Sequence, residues 1–184
     1  MSTDWAGVEN VLRAWVLQGS GLAAGQVYFA HQNGKVPAGT CIAIALGDPR
    51  VVGQDSAISI TDLSRTAGTE IEFRTAGVRE FPVMLQAFTS ETAGNSTARA
   101  VLSRVQAALA LPTVRDALNA AGISVFDAGM VKVLNAVDTA RFEGRAVLDV
   151  RCYANESVSE FTGYIASVEE QDLDTGRTYI LTST

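Results

Sequence analysis

Most active sites are built from histidine, cysteine, activated serine or paired carboxylates, and this chain offers few of them. His31 is the only imidazole in 184 residues, so a nucleophile that needs an imidazole base would have to use it. Its neighbours Gln32 and Asn33 are polar, but no Gly-x-Ser-x-Gly elbow supplies a serine. Cys41 is the other nucleophile within reach, yet it enters an apolar run with no evident group to stabilise a thiolate. Asp174 lies in Leu173-Asp174-Thr175-Gly176, the triplet with which aspartic proteases bring two carboxylates onto one proton. Here it is flanked by Asp172 and Arg177 between two strand-like segments, the setting of a hairpin turn. Gly19, Gly21 and Gly25 are followed by no Lys-Ser/Thr and form no phosphate loop. Two cysteines and one histidine give no zinc spacing. The sequence therefore predicts no enzyme, no cofactor and no metal, and His31 reads as part of a polar loop.

The bulk properties agree with a folded chain that works by contact. Hydrophobic residues are 47% and charged residues 18%, a globular balance rather than a disordered one. A chain of this length buries about 70% of its unfolded surface and needs no staples. The net charge of −6, from 20 acidic and 14 basic residues, argues against broad binding to nucleic-acid phosphates, although an acidic lining would suit a passage through which DNA slides. Cys41 and Cys152 both sit in apolar strand-like runs and read as buried free thiols, with a disulfide between them left open by sequence. The segment MSTDWAGVEN has no basic n-region followed by an apolar core, and no apolar run approaches membrane-spanning length, so a cytosolic product is expected. The glycosylation sequons at Asn95 and Asn155 are then chance matches.

The elements that must carry any surface follow from periodicity. Trp5, Val8, Leu12, Trp15 and Val16 recur at helical spacing after a cap at Ser2 or Thr3, and Gly19-Ser20-Gly21 stops the run. Val27–Ala30 and Thr40–Leu46 predict strands, the second apolar on both faces. Residues 49–68 mix Gly, Asp, Ser, Arg and Thr and read as a long loop or arm. Residues 69–75 and 79–89 predict two strands turned by Ala76-Gly77, with Pro82 marking an edge or a bulge. Two helices follow, one with Val101, Leu102, Val105 and Leu109 on a face and one opened by Pro112 and ended by Gly122. Short strands are expected at 123–126 and 131–137, and a C-terminal hairpin at 163–182.

The most regular segment runs from Gly144 to Ala154. Ala146, Leu148, Val150, Cys152 and Ala154 fall on one face and Arg145, Val147, Asp149, Arg151 and Tyr153 on the other, before a polar break at Asn155-Glu156-Ser157. The charged set Arg141, Glu143, Arg145, Asp149 and Arg151 is either an inter-subunit pairing network or a solvated strand face. The whole is expected to be a single domain over residues 1–184. Its class is α+β, an antiparallel or mixed sheet with helices packed on one face.

Three segments resemble one protein family. Val27-Tyr28-Phe29-Ala30-His31-Gln32-Asn33, followed by Pro37 and an apolar strand, resembles the opening of phage neck terminator, or tail-terminator-like, proteins. Phe142-Glu143-Gly144-Arg145-Ala146 entering a long strand resembles their second hallmark, and Gly163-Tyr164-Ile165-Ala166-Ser167-Val168-Glu169 their closing segment. Order and spacing fit over residues 5–170; His31 stands where an acidic residue is expected, and 49–68 has no clear counterpart. The resemblance implies a structural virion protein of a tailed bacteriophage, located in the tail or neck and assembled in the host bacterial cytoplasm. It implies a homo-oligomeric ring, usually of six subunits, at the head-proximal end of the tail. Its partners would be the tail tube protein and the head–tail connector, with DNA only passing through the lumen and no membrane. A head-completion or connector protein of the same neck is the near alternative, and a small hydrolase using His31 the distant one.

Overall fold

The computed structural model describes residues 4–31, 37–62, 64–66, 69–89, 94–138, 141–163, 167–171 and 178–182. In chain order the elements are α1 (Trp5–Ser20), a 3-10 turn (Ala24–Gln26), β1 (Val27–Phe29), β2 (Cys41–Leu46), β3 (Arg50–Thr61), β4 (Ile71–Thr89), α2 (Gly94–Ala108), α3 (Pro112–Ala120), β5 (Ile123–Ala128), β6 (Lys132–Asp138), β7 (Arg141–Thr162), β8 (Ser167–Gln171) and β9 (Thr178–Thr182). Seven strands form one sheet in the order β1-β2-β4-β7-β5, with β3 also on β4 and β6 also on β7; β8 and β9 pair separately. β1 runs parallel to β2, whereas the β2–β4, β5–β7 and β6–β7 pairs are antiparallel, so the expected α+β class with a mixed sheet is what the chain adopts.

The chain gathers into two compact units, residues 2–54 with 77–156, and residues 55–76 with 157–184. The larger unit holds the core. Val8, Leu12, Trp15 and Val16 of α1 are buried, as are Val101, Leu102 and Val105 of α2 and Val114 and Leu118 of α3. They pack with Ile42, Ile44, Val83, Leu85, Ala146, Leu148, Val150 and Cys152, so the helices cover one face of the sheet. Each fully buried Leu, Ile or Val in this cluster contributes about 1.5–3 kcal/mol relative to exposure.

Helix ends and crossings are set locally. Asp4, rather than Ser2 or Thr3, caps α1: its carboxylate accepts the Gly7 N–H at 3.1 Å, satisfying one of the orphan donors of the first turn. The α1 terminus is Gly21 in the left-handed region at φ 68°. Gly19 is inside the helix, and a Cβ there would lie 2.7 Å from the Val105 Cα, so α1 and α2 approach closely at this point. Beside it, the Trp15 indole Nε1 donates to the Val105 carbonyl at 3.0 Å. That carbonyl belongs to the last turn of α2, where carbonyls have no intrahelical donor.

Three sequence expectations are corrected. Residues 50–61 are strand β3, not loop, and 11 of the 12 are exposed. Residues 69–75 and 79–89 are not a hairpin: β4 runs unbroken through Ala76-Gly77. Pro82 therefore sits in an interior strand, and it is tolerated because its neighbour changes there. β2 ends its ladder at the Leu46–Val83 pair, and the Gly47 N–H donates to the Pro82 carbonyl at 2.9 Å in the link to β3. Without an N–H, Pro82 cannot return that bond to Gly47, so its cost falls at the end of the ladder. The polar break at Asn155-Glu156-Ser157 is likewise continuous strand, and Glu156 is held by the Arg79 Nε at 2.7 Å. Arg50 pairs bidentately with Glu80 at 2.9 Å.

In the smaller unit, β8 and β9 pair from Ser167–Thr182 to Gln171–Thr178, the strands of the expected hairpin. Its turn, including Asp174, lies outside the described residues, as do Gln32, Asn33 and Tyr164–Ala166.

Candidate functional site

The residues that could have done chemistry are placed apart or buried. His31 is 58% exposed, stacks on Phe29, and has Nε2 4.0 Å from Glu9 Oε1. Cys41 is buried on β2; burial of the Tyr28 phenol first, then its contact with Cys41, push that phenol up. Cys152 is buried in the helix-side core, and desolvation pushes its thiol up to about 12, leaving it un-ionised at neutral pH. Ile42 faces the helices, so Cys41 faces the other side of the sheet from Cys152, with β4 between β2 and β7. Neither thiol is in a disulfide. Among the described residues no group of three or more His, Cys, Asp or Glu could hold a metal, and no helix is long and apolar enough to cross a membrane.

The charged set on β7 is brought to one face, away from the helices. Ala146, Leu148, Val150, Cys152 and Ala154 are all buried, which turns Arg145, Asp149 and Arg151 outward. The backbone of Arg141 and Glu143 continues the same parity, and their side chains lie outside the described residues. The described three do not form one network. Arg145 Nη2 donates to Gln86 Oε1 at 2.7 Å and its guanidinium lies 5.4 Å over the Phe88 ring, so β4 holds it. Asp149 meets Lys132 of β6 at 3.7 Å, both more than half exposed. Arg151 is exposed opposite Asp127 of β5.

Sequence reasoning missed the smaller unit. Its only buried side chains among those described are Glu70 and Glu72, at 8% and 4% exposure. Glu72 Oε1 accepts from Arg74 Nη2 at 2.7 Å and from Ser159 Oγ at 3.0 Å, and Oε2 from Arg65 Nη2 at 3.2 Å. The Arg74 guanidinium first, then the Ser159 hydroxyl, hold the Glu72 carboxyl below its ordinary value. Arg65 also lies over the Phe161 ring, 5.0 Å from its centroid. The large apolar side chains are outside: Ile58, Ile60, Phe73, Val158 and Phe161 are 40–56% exposed. Polarity is thus the reverse of a soluble domain's. The same unit carries nine acidic and three basic residues, net −6, while the larger unit has eleven of each and is neutral.

The sequence comparison assigns residues 6–178 to a family described as phage neck terminator protein. The chain belongs to that family. No curated protein matches the sequence. The match covers nearly the whole chain, both units included, and it makes the protein a structural component of the phage neck that contacts other virion proteins. The surfaces of interest are then those open to another protein, and the larger unit has a cleft besides the β7 face. At the sheet edge, α3 and β5 enclose a half-open cleft of about 380 Å³ lined by Leu109, Leu118, Ile123, Val125, Phe126 and Arg115. The β5–β7 register shifts between Val125 and Asp127, and Phe126 at this bulge is 67% exposed. Bulges at sheet edges re-aim a side chain and blunt the edge against unspecific pairing.

Proposed function

We propose that the protein forms a ring, six copies in the family's usual manner, on the head-proximal end of a phage tail. There it ends tube polymerisation and offers the head connector its docking surface. Membership of the neck terminator family is the general support. The observation that carries the ring itself is the smaller unit, whose large apolar side chains face outward around a buried carboxylate and so call for a protein partner. Growth of the tube stops because the ring's far face does not repeat the surface on which a tube subunit docks. DNA passes the lumen without being bound, in keeping with a chain of net charge −6. Assembly takes place in the host cytoplasm and the product resides in the neck of the virion.

The test is genetic and structural together. A phage lacking the gene is expected to make tails of irregular length that do not join heads, and the purified protein to cap tail tubes as rings by negative-stain microscopy. Normal tails joined to heads in its absence would refute the proposal. Co-purification with tailless heads rather than headless tails would assign the protein to head completion instead.

A further inference from the structure

We infer that, within the ring proposed above and resting on it, the smaller unit of each copy docks into the α3–β5 cleft of the next copy. The contact is heterologous, joining two different surfaces. Three observations point to it. First, Val158 at the end of β7 is 56% exposed, and no described apolar side chain of its unit is buried within it. Burying such side chains against a partner is where this unit can gain the hydrophobic stabilisation that it lacks alone. Second, charge selects the partner surface. Two smaller units set face to face would each bring a net −6, so an isologous contact between them is opposed. The larger unit is neutral, and its cleft presents Arg115, which has no carboxylate within ion-pair distance among the described residues. Glu160 is exposed between Val158 and Phe161 and supplies the complementary charge. Third, the cleft sets Leu109, Leu118, Ile123 and Val125 beside the polar Asn119 and Ser124, opens at a sheet edge, and is flanked by the bulged, exposed Phe126. A cleft of mixed lining beside an edge strand can receive an extended segment that carries both apolar and charged side chains. Because donor and acceptor surfaces differ, each copy gives one and takes one, which is the condition for a closed ring rather than a dimer.

The test uses the full chain and its two buried, unreactive cysteines as background. Val158→Cys and Phe126→Cys proteins are made separately, then mixed and treated with a short bis-maleimide. Heterodimers on mixing, with no homodimer from either protein alone, are expected. Homodimers from either single variant would overturn the heterologous arrangement. In parallel, Arg115→Glu is expected to raise the concentration needed for half-assembly about tenfold, and Glu160→Arg in the same chain to recover much of that loss. Unfolding followed by tryptophan fluorescence checks that each variant monomer is folded. Wild-type rings that persist unchanged in Arg115→Glu, with no Val158–Phe126 cross-link, would overturn this inference and leave the ring standing. Cross-linking of Val158→Cys to tube or connector subunits alone would overturn it in favour of those partners. A wild-type chain that stays monomeric both free and on purified tail tubes would overturn the ring and the contact together.

Discussion

Replacing Gly19 with alanine tests whether the close crossing of α1 and α2 organises the core. In an ordinary helix the substitution is stabilising by about 1 kcal/mol, because alanine loses less backbone entropy. Here the new Cβ would lie 2.7 Å from Val105 Cα, 3.0 Å from Ala108 Cβ and 3.4 Å from the Arg104 carbonyl oxygen. Two of these are backbone atoms and the third is bonded to one, so no rotamer change relieves the overlap. Restoring ordinary carbon–carbon separations of about 3.5–4.0 Å requires the helices to part by roughly 1 Å. Overpacking of this kind costs about 1–3 kcal/mol. The same displacement stretches the 3.0 Å bond from the Trp15 indole to the Val105 carbonyl, adding about 1 kcal/mol. After the helical gain is subtracted, Gly19→Ala is expected to destabilise by about 1–3 kcal/mol. The chain's two tryptophans, Trp5 and Trp15, both lie on α1, so fluorescence during urea unfolding reads the affected helix. The midpoint should fall at unchanged slope. A variant as stable as the wild type, or more so, would refute the close approach.

The remaining predictions concern the charged and sulfur groups. Glu72→Gln should loosen the smaller unit, read as faster proteolysis or amide exchange within residues 55–76 while the helices stay protected. Because Glu72's folded value lies below the ordinary 4.5, its contribution is complete above pH 4.5 and is lost as pH falls through the folded value. Acidified wild type should then exchange like the variant, and identical exchange of the two proteins at neutral pH would disprove the pinning role. Arg145→Met, removing the Gln86 bond and the Phe88 contact, should cost the monomer about 1–3 kcal/mol, whereas Arg151→Met should leave the unfolding midpoint unchanged; equal effects would contradict the placement of the two on β7. Cys41 and Cys152, both buried, should resist a thiol reagent at pH 8 in the native protein and react as two thiols in urea. Rapid native labelling of Cys152 would contradict the burial that pushes its thiol up to about 12.

The parts of this fold that local sequence encodes are the parts with one buried face. The α1 stripe from Trp5 to Val16 and the alternation from Gly144 to Ala154 are both legible because burial follows a single period. Pro112 and Gly122 bracket α3 as their backbone preferences require. β3 was not legible because nearly every residue in it is exposed and its apolar alternation is short, Ile58 and Ile60 alone, while Ser, Gly and Asp around it mimic a loop. The turn signal at Ala76-Gly77 and the polar break at Asn155-Glu156-Ser157 were overridden by pairing partners far along the chain. The Arg79–Glu156 pair is the clearest of these.

The candidate surface divides along the same line. Parity alone placed Arg145, Asp149 and Arg151 on one face, but their ties come from β4 and β6, which no local pattern reveals. Alternation is also symmetric: it separates two faces of a strand without saying which one turns inward. Along β7 up to Ala154 the apolar face is the buried one, whereas at the start of β4 Glu72 turns in and Phe73 turns out. An alternation that reads as ordinary strand in both places is therefore a core in the larger unit and an exposed apolar face in the smaller one. The inversion is stable in the free chain because Arg65, Arg74 and Ser159 supply the buried carboxylate with its partners. The hydrophobic core thus lies in the larger unit, while the large apolar side chains described in the smaller unit stay exposed, available to the partners proposed above. Separating the two sources of stabilisation in this way lets a neck subunit accumulate as a folded protein and still gain free energy when it joins its partners.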